Sequence, residues 1–510
     1  MAHEPDHWGV TRFRFREERG GRGLDTPVLR SSFMCGALFA LATAVIAQSR
    51  GIAITHVTVV DPGGERRPGM TVVVRGHEIT AVDRDGHSEI RPGAEVIDGS
   101  GKFVIPGLWD MHSHFRDADR DLKMDIANGV LGTRNMGGAA ADVFPLRDAI
   151  GDGRRLGPRL VACGPILDGP NSWSNPQFTI SVKTAGEARA AVASLKKQGS
   201  DCVKVYDGLS RDSYFAIIDE ARRLGVPVVG HLPSAISVRE ASEAGQRSLE
   251  HGVALAGGSA KENEYIRRRL DQSAFQEALK TKNFALIPAK IARDESMMLD
   301  TFNQDLADAT YRLLAKNRTF VTPTLVTQRS LTFIDELDKE PDPRAEYVSV
   351  EERQWWKPEN GMLTKYRTPE YIAMRKREYA KTLEEVRRAQ VLGVRLLAGT
   401  DITIPYTYPG FSLHDELKLF VEAGLSPMQA LETATTNPAL CLGLSRTWGR
   451  IAPGYTANLV LLNADPLIDI SNTTKIDAVV LNGELLNRAR LDQLLKDARA
   501  PAVTPSPTKR

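Results

Sequence analysis

Cysteine is scarce, with four in 510 residues, so the chain is no disulfide scaffold and must be held by an ordinary hydrophobic core. An excess of one charge is lacking too: 66 Lys and Arg stand against 64 Asp and Glu, a formal net charge of +2. Without a basic field there is nothing to grip phosphates, which argues against a nucleic-acid partner. No apolar run reaches the roughly 20 residues that span a bilayer. No glycine-rich phosphate fingerprint follows an early strand, which weighs against an open doubly wound sheet. Aromatic residues make up 6% and hydrophobic residues 42%, a globular composition that excludes disorder of the whole chain.

The longest apolar run, Phe33–Ile46, follows Arg30 and five earlier arginines and precedes Ala47. This is the pattern of a secretory signal with an overlong n-region, whose true start could be Met34. The expectation is a signal peptide over residues 1–47 and an exported protein, periplasmic or extracellular. A buried helix or an uncleaved anchor is the rival reading, and a segment that is no signal leaves the protein cytoplasmic. With Cys35 removed, Cys163, Cys202 and Cys441 remain. Cys163 and Cys202 sit in apolar strand-like runs, where a free buried thiol is the commoner state, so no disulfide is expected.

Short β-branched runs at Ile52–Val60, Thr71–Arg75, Glu95–Ile97 and Phe103–Ile105 return in kind at Ala457–Leu462 and Ala478–Leu481, the last followed by an Asn482-Gly483 turn signal. Both ends of the chain therefore build one small composite domain, residues 48–107 with 446–490, leaving 491–510 as a C-terminal tail. Between them, residues 108–445 alternate apolar strand and amphipathic helix. Eight strand candidates are Leu108–His114, Gly132–Met136, Arg159–Gly164, Cys202–Tyr206, Pro227–His231, Ser248–His251, Phe320–Leu325 and Arg395–Asp401. Helices are expected at Ala185–Gln198, Arg211–Leu224 and Glu370–Leu392. The leading fold is an α/β (β/α)8 barrel of the TIM type, which places chemistry at the C-terminal ends of its strands. The intervals 252–320 and 327–370 are too long for plain crossovers and read as insertions on the loop side; Trp355, Trp356 and Tyr366 either wall a pocket there or pack an extra helix pair.

Of ten histidines, four fall at the ends of strand candidates. His112 and His114 are two residues apart, so a strand sends both to one face and they can chelate one cation. His231 and His251 end the neighbouring fifth and sixth strands; each alone is more often structural, but together they converge. Asp401 ends the eighth strand beside the first, where it can bind the same metal as His112 and His114 or take a proton from bound water. Lys204 lies in an otherwise apolar strand. A buried ammonium is costly, so it is either snorkelling or paired, or it is a neutral amine that adds carbon dioxide to become a bridging carbamate. Tyr206 shares its parity and either polarises a carbonyl or packs. His414, at a helix start opened by Ser412 as a plausible N-cap, either contacts substrate or lines the pocket.

The motifs Pro-Gly-Leu-Trp-Asp-Met-His-Ser-His (106–114), Val-Lys-Val (203–205), Gly-His (230–231), Leu-Glu-His-Gly (249–252) and Ala-Gly-Thr-Asp (398–401) occur in this order. Leu413-His-Asp-Glu-Leu, the stretch from Glu422 to Pro438 and Gly449–Val460 add to them. The sequence resembles the amidohydrolase superfamily, in the imidazolonepropionase-like branch with metal-dependent prolidases, over about residues 52–487. The resemblance implies a barrel with a composite β-sandwich and two divalent metal ions, zinc being the first choice over manganese, cobalt or iron. His112, His114 and Asp401 would hold one ion, His231 and His251 the other, and carboxylated Lys204 would bridge them. Asn458 departs from the family's Asp, but within the sandwich.

The expected activity is hydrolysis of an amide or peptide-like bond in a small molecule, a dipeptide or N-acyl amino acid, with Asp401 as general base and then acid. The alternatives are a cyclic amidase, a lactonase or an organophosphate esterase, or a binding protein that kept the barrel. No membrane span is expected after signal removal, and a homo-oligomer stays open.

Overall fold

The computed structural model describes residues 51–170, 172, 174–252, 257–361 and 364–500; the expected signal segment lies outside them. Strands from residues 52–106 and 459–487 meet in one eight-stranded sheet. Its core strands are Ile52–Val60, Arg66–Arg75, Phe103–Pro106, Leu459–Leu462 and Ile476–Leu481. The first of these pairs in parallel with Glu95–Asp98 through Ile52–Thr55 and with Phe103–Pro106 through Thr58 and Val59. The change of neighbour falls at a bulge around His56, where φ is 55°. Alternating residues such as Ile54, Val72, Val104, Leu459 and Val480 bury one face in a core of the sheet's own. Ile105, Val460, Leu462 and Val479, of opposite parity, join the core of the barrel. Asn458 pins the predicted turn, its Oδ1 accepting Asn482 N at 2.9 Å. An expected tail is instead partly helical. Arg488–Ala498, N-capped by Asn487, buries Leu491, Leu494 and Ala498 at the 3.6-residue spacing of one helix face.

Barrel strands Leu108–Ser113, Val130–Asn135 and Arg159–Ala162 form one parallel sheet. Val203–Val205, Val228–Gly230, Ser248–Glu250 and Phe320–Thr322 form another, again parallel. Two seams join them. At one, Asp201 N donates to Ala162 O at 3.0 Å. At the other, the eighth expected strand runs as an irregular segment with a single bridge, Val321 to Leu396. Leu397 N donates to Val321 O at 2.9 Å and Met111 N to Ala398 O at 2.8 Å, which closes the ring. The close passage needs glycine at 399, where a Cβ would stand 2.8 Å from the Cβ of His112 and 2.6 Å from Thr322.

The first seam overturns the expectation of free thiols: Cys163 and Cys202 form a disulfide, with Cα atoms 4.5 Å apart. Each apolar run was read by itself, yet barrel closure makes the third and fourth strands neighbours and brings the two cysteines to one level. Cys441 is free and buried.

Helices Ala185–Lys197, Arg211–Leu224 and Pro369–Val391 occupy the expected stretches, N-capped by Thr184, Ser210 and Thr368. The first insertion adds helices Glu262–Leu270, Ser273–Thr281 and Leu286–Asp300. In the second, Trp356 packs against Tyr406 and Tyr408 and with them lines a cavity of about 300 Å3. Trp355 is exposed beneath Arg116, and Tyr366 stacks on Phe284 of the first insertion. Among the described residues no helix is long and apolar enough to cross a membrane.

Candidate metal centre

The C-terminal strand ends bring six of the singled-out side chains together. His112 Nε2 and His114 Nε2 lie 3.4 and 3.5 Å from Asp401 Oδ1. His251 Nε2 faces His231 Nε2 at 3.0 Å, its ring centroid 4.7 Å from that of His112. Lys204 Nζ stands 3.4 Å from His112 Nε2. His251 and Asp401 adopt left-handed backbone, φ 68° and 51°, a conformation uncommon for such residues and frequent at functional sites.

Partners around the cluster fix where the imidazole protons sit. His112 Nδ1 is 3.0 Å from Glu250 Oε2, His231 Nδ1 is 3.1 Å from Asp207 Oδ1, and His114 Nδ1 is 3.3 Å from Gly137 O. These oxygens only accept, so each Nδ1 donates. His251 Nδ1 meets Thr324 Oγ1 at 2.8 Å, and that hydroxyl spends its own proton on Pro323 O. The Nε2 atoms of His114, His231 and His251 are left as lone pairs aimed at one another or at Asp401, while His112 Nε2 faces both Asp401 and Lys204 Nζ. Acceptors facing acceptors at 3.0–3.5 Å repel unless a cation lies among them. The donor set of imidazoles and a carboxylate therefore fits divalent metal, and among the described residues His112, His251 and Asp401 place ligand atoms within 4.8 Å of one another.

The electrostatics agree. Burial, then the Lys204 ammonium, holds His112 far below the usual imidazole range, and burial followed by His231 takes His251 to about 3. Burial would raise the carboxyl of Asp401, but His112 and its neighbours outweigh it and keep the group ionised. Lys204 is buried and pushed down to about 8, chiefly by burial. Gly230, at φ 127°, leaves room beside it: a Cβ there would stand 2.8 Å from Lys204 Cδ. Tyr206 stacks on His231, ring centroids 4.0 Å apart, and burial raises its hydroxyl so that it stays protonated.

Against this geometry the similarities can be weighed. Residues 103–486 match the amidohydrolase family. The chain belongs to that family. Dihydroorotase of Geobacter metallireducens is 28% identical over 143 residues, 27% of this chain and 33% of the relative, so the match spans about a third of that protein. Among solved structures, bottromycin amidohydrolase superposes with a TM-score of 0.69 at 24% identity, covering 88% of this chain and 91% of the other. A Xaa-Pro dipeptidase with methionine bound in its active site gives 0.62 at 19% identity, covering 86% and 100%. These likenesses establish the fold.

His414 is the exception among the singled-out residues. It is buried at the opposite, N-terminal end of the strands, with Nδ1 2.9 Å from Thr473 Oγ1 and Nε2 3.0 Å from Asn128 O. Its helix, Phe411–Glu422, starts after Gly410 rather than at Ser412, whose hydroxyl accepts Tyr408 N. His414→Ala is expected to lower stability by about 1–3 kcal/mol and leave kcat/KM unchanged, as thermal unfolding beside any turnover assay would show.

Glu250, Arg134, Asp207 and Asp110 were missed. Glu250 accepts Arg134 Nη2 at 2.9 Å and Ser248 Oγ at 2.5 Å while holding His112. Asp110 accepts the backbone of His112 and of Thr400, both at 3.1 Å, tying the first strand to the Asp401 segment. Strict alternation sends Glu250 and His251 to opposite faces, and only the left-handed turn at His251 lets both serve the cluster. Arg134 carried a usable signal: a charge inside a buried strand, the same mark that singled out Lys204.

Proposed function

We propose that this chain is a metal-dependent hydrolase cleaving the amide bond of a small peptide-like substrate, a dipeptide or an N-acyl amino acid. The observation that carries the reading is the convergence of four imidazole Nε2 atoms, one carboxylate and one buried lysine at the barrel mouth. His112, His114 and Asp401 would hold one divalent ion and His231 and His251 a second, with zinc the first candidate. Lys204 has no carboxylate within 4 Å among the described residues and a depressed pKa of about 8, so part of its population is neutral amine. Addition of carbon dioxide to that amine, with release of a proton, gives a carbamate anion suited to lie between two cations. Bound divalent ions supply the charge that acidifies a water and polarises the scissile carbonyl.

The residues do the rest. Asp401 has Oδ1 turned to His112 and His114 and Oδ2 3.9 Å from His251 Nδ1, and Oδ2 would take the water's proton and return it to the leaving nitrogen. Tyr206 donates its hydroxyl hydrogen to the carbonyl oxygen as negative charge grows there. The Xaa-Pro dipeptidase, which holds an amino acid in its active site, supports a substrate of this class. The Cys163–Cys202 bond supports export, because disulfides persist in oxidising compartments.

The test is a library of dipeptides, N-acyl amino acids, cyclic amides, lactones and phosphotriesters, assayed on metal-stripped protein and again after zinc or manganese loading. Turnover of the first two groups only after loading is the expected result; turnover by stripped protein rejects the reading. Asp401→Asn is expected to lower kcat by about 10²–10⁴-fold and Tyr206→Phe by about 10²–10³-fold. An unchanged rate in the Phe variant removes Tyr206 from the mechanism.

A further inference from the structure

Arg269, in the last turn of the insertion helix Glu262–Leu270, stands over the His231 side of the site. Its Nη2 is 3.7 Å from Asp207 Oδ1, the carboxylate that holds His231, and 3.5 Å from the carbonyl of Leu232, the next residue. Both contacts are long. Among the described residues its Nε and Nη1 make no hydrogen bond, although a guanidinium carries five donors in a rigid fork. Its Cζ lies 5.6 Å from the centre of the Tyr265 ring, and 24% of the side chain stays open to solvent. Arg116, two residues beyond His114, is by contrast taken up by Glu352 Oε1 at 3.0 Å and by Thr403 O. Among the described residues the mouth thus holds a guanidinium with donors to spare, beside the residues that would hold the second ion.

We infer that Arg269 recognises the free carboxylate of the substrate and so restricts the enzyme to amides of α-amino acids with an unblocked C-terminus. The inference rests on the hydrolase reading and narrows its substrate class. In such a molecule one Cα separates the scissile nitrogen from the carboxylate carbon, a span of about 2.5 Å. A carboxylate must then fall near the metal ligands whenever the amide does. Fork-to-carboxylate pairing is the contact a planar guanidinium makes best, and the Asp207 contact, being long, leaves the outer edge of the fork available.

The experiment compares glycyl-leucine with glycyl-leucinamide on the zinc-loaded wild type and on Arg269→Gln and Arg269→Lys. In wild type the free acid should be the better substrate. In Arg269→Gln the ratio of kcat/KM for acid over amide should fall about 10- to 100-fold, mostly through KM, with metal content unchanged; Arg269→Lys, keeping the charge without the fork, should fall between. An unchanged ratio overturns the inference. So does an equal loss on both substrates together with lost zinc, because Arg269 would then only position Asp207. If wild type hydrolyses neither compound, the hydrolase reading is left to the substrate library, and thermal-shift binding decides the inference about Arg269. A rise in melting temperature with the acid alone, abolished by Arg269→Gln, supports carboxylate recognition, and equal rises with both compounds refute it.

Discussion

Replacing Glu250 with alanine is expected to cost about 3–5 kcal/mol of stability and to remove most of the metal. Three donors meet this carboxylate: Arg134 Nη2, Ser248 Oγ and His112 Nδ1. Glu250 and Arg134 are both shut off from water, at 0% and 1% side-chain exposure. Deleting the acid strands a guanidinium inside the barrel, and the desolvation once offset by the pair is then uncompensated. The metal effect has a separate cause. Without an acceptor at Nδ1, nothing keeps the His112 proton there, and its Nε2 ceases to be a committed lone pair. Glu250→Gln separates the two effects. If the amide oxygen stays on Arg134, the amide nitrogen faces Nδ1 as a second donor and favours the opposite His112 tautomer. That variant should fold, with zinc affinity about 10- to 100-fold weaker by chelator competition. A Gln variant with wild-type affinity would show that Glu250 does not set the tautomer.

Removing the Cys163–Cys202 disulfide, as Cys163→Ala with Cys202→Ala, is expected to lower unfolding free energy by about 4 kcal/mol, from the closure entropy of the 39-residue separation. The position adds a functional consequence. The bond stands beside the Asp201–Ala162 backbone link between the third and fourth strands, and Cys202 immediately precedes the strand that carries Lys204. A loosened seam should therefore reduce metal retention as well as melting temperature, and a thiol reductant should reproduce both in the unaltered protein. Equal melting temperatures with and without reductant would contradict this.

The site was more legible in the sequence than its supports. Histidines at strand ends, an aspartate closing the last strand and a lysine in an apolar strand each violate an expectation of burial or packing, and such violations can be read one residue at a time. Asp207 and Cys163 with Cys202 violate nothing locally, and Glu250, though a charge inside a buried strand like Arg134, does not reveal its partners. Their roles come from a partner far along the chain, brought near by closure of the barrel, or from a left-handed turn that breaks strand alternation. His414 shows the converse error: a histidine next to a matched motif, yet held by Thr473 and Asn128 at the far end of the strands. The barrel's eighth strand was legible as sequence but not as geometry, since Gly399 and the Thr400–Asp110 bond turn it into an irregular segment.

The most direct test is a zinc titration of metal-stripped protein, following bound metal and hydrolysis of an N-acyl amino acid or dipeptide together. The proposed set of six ligands predicts activity that rises from nothing and levels off at about two ions per chain, and a protein with His112→Ala that never reaches that level. Saturation at one ion or fewer, or full turnover before any zinc is bound, would contradict it.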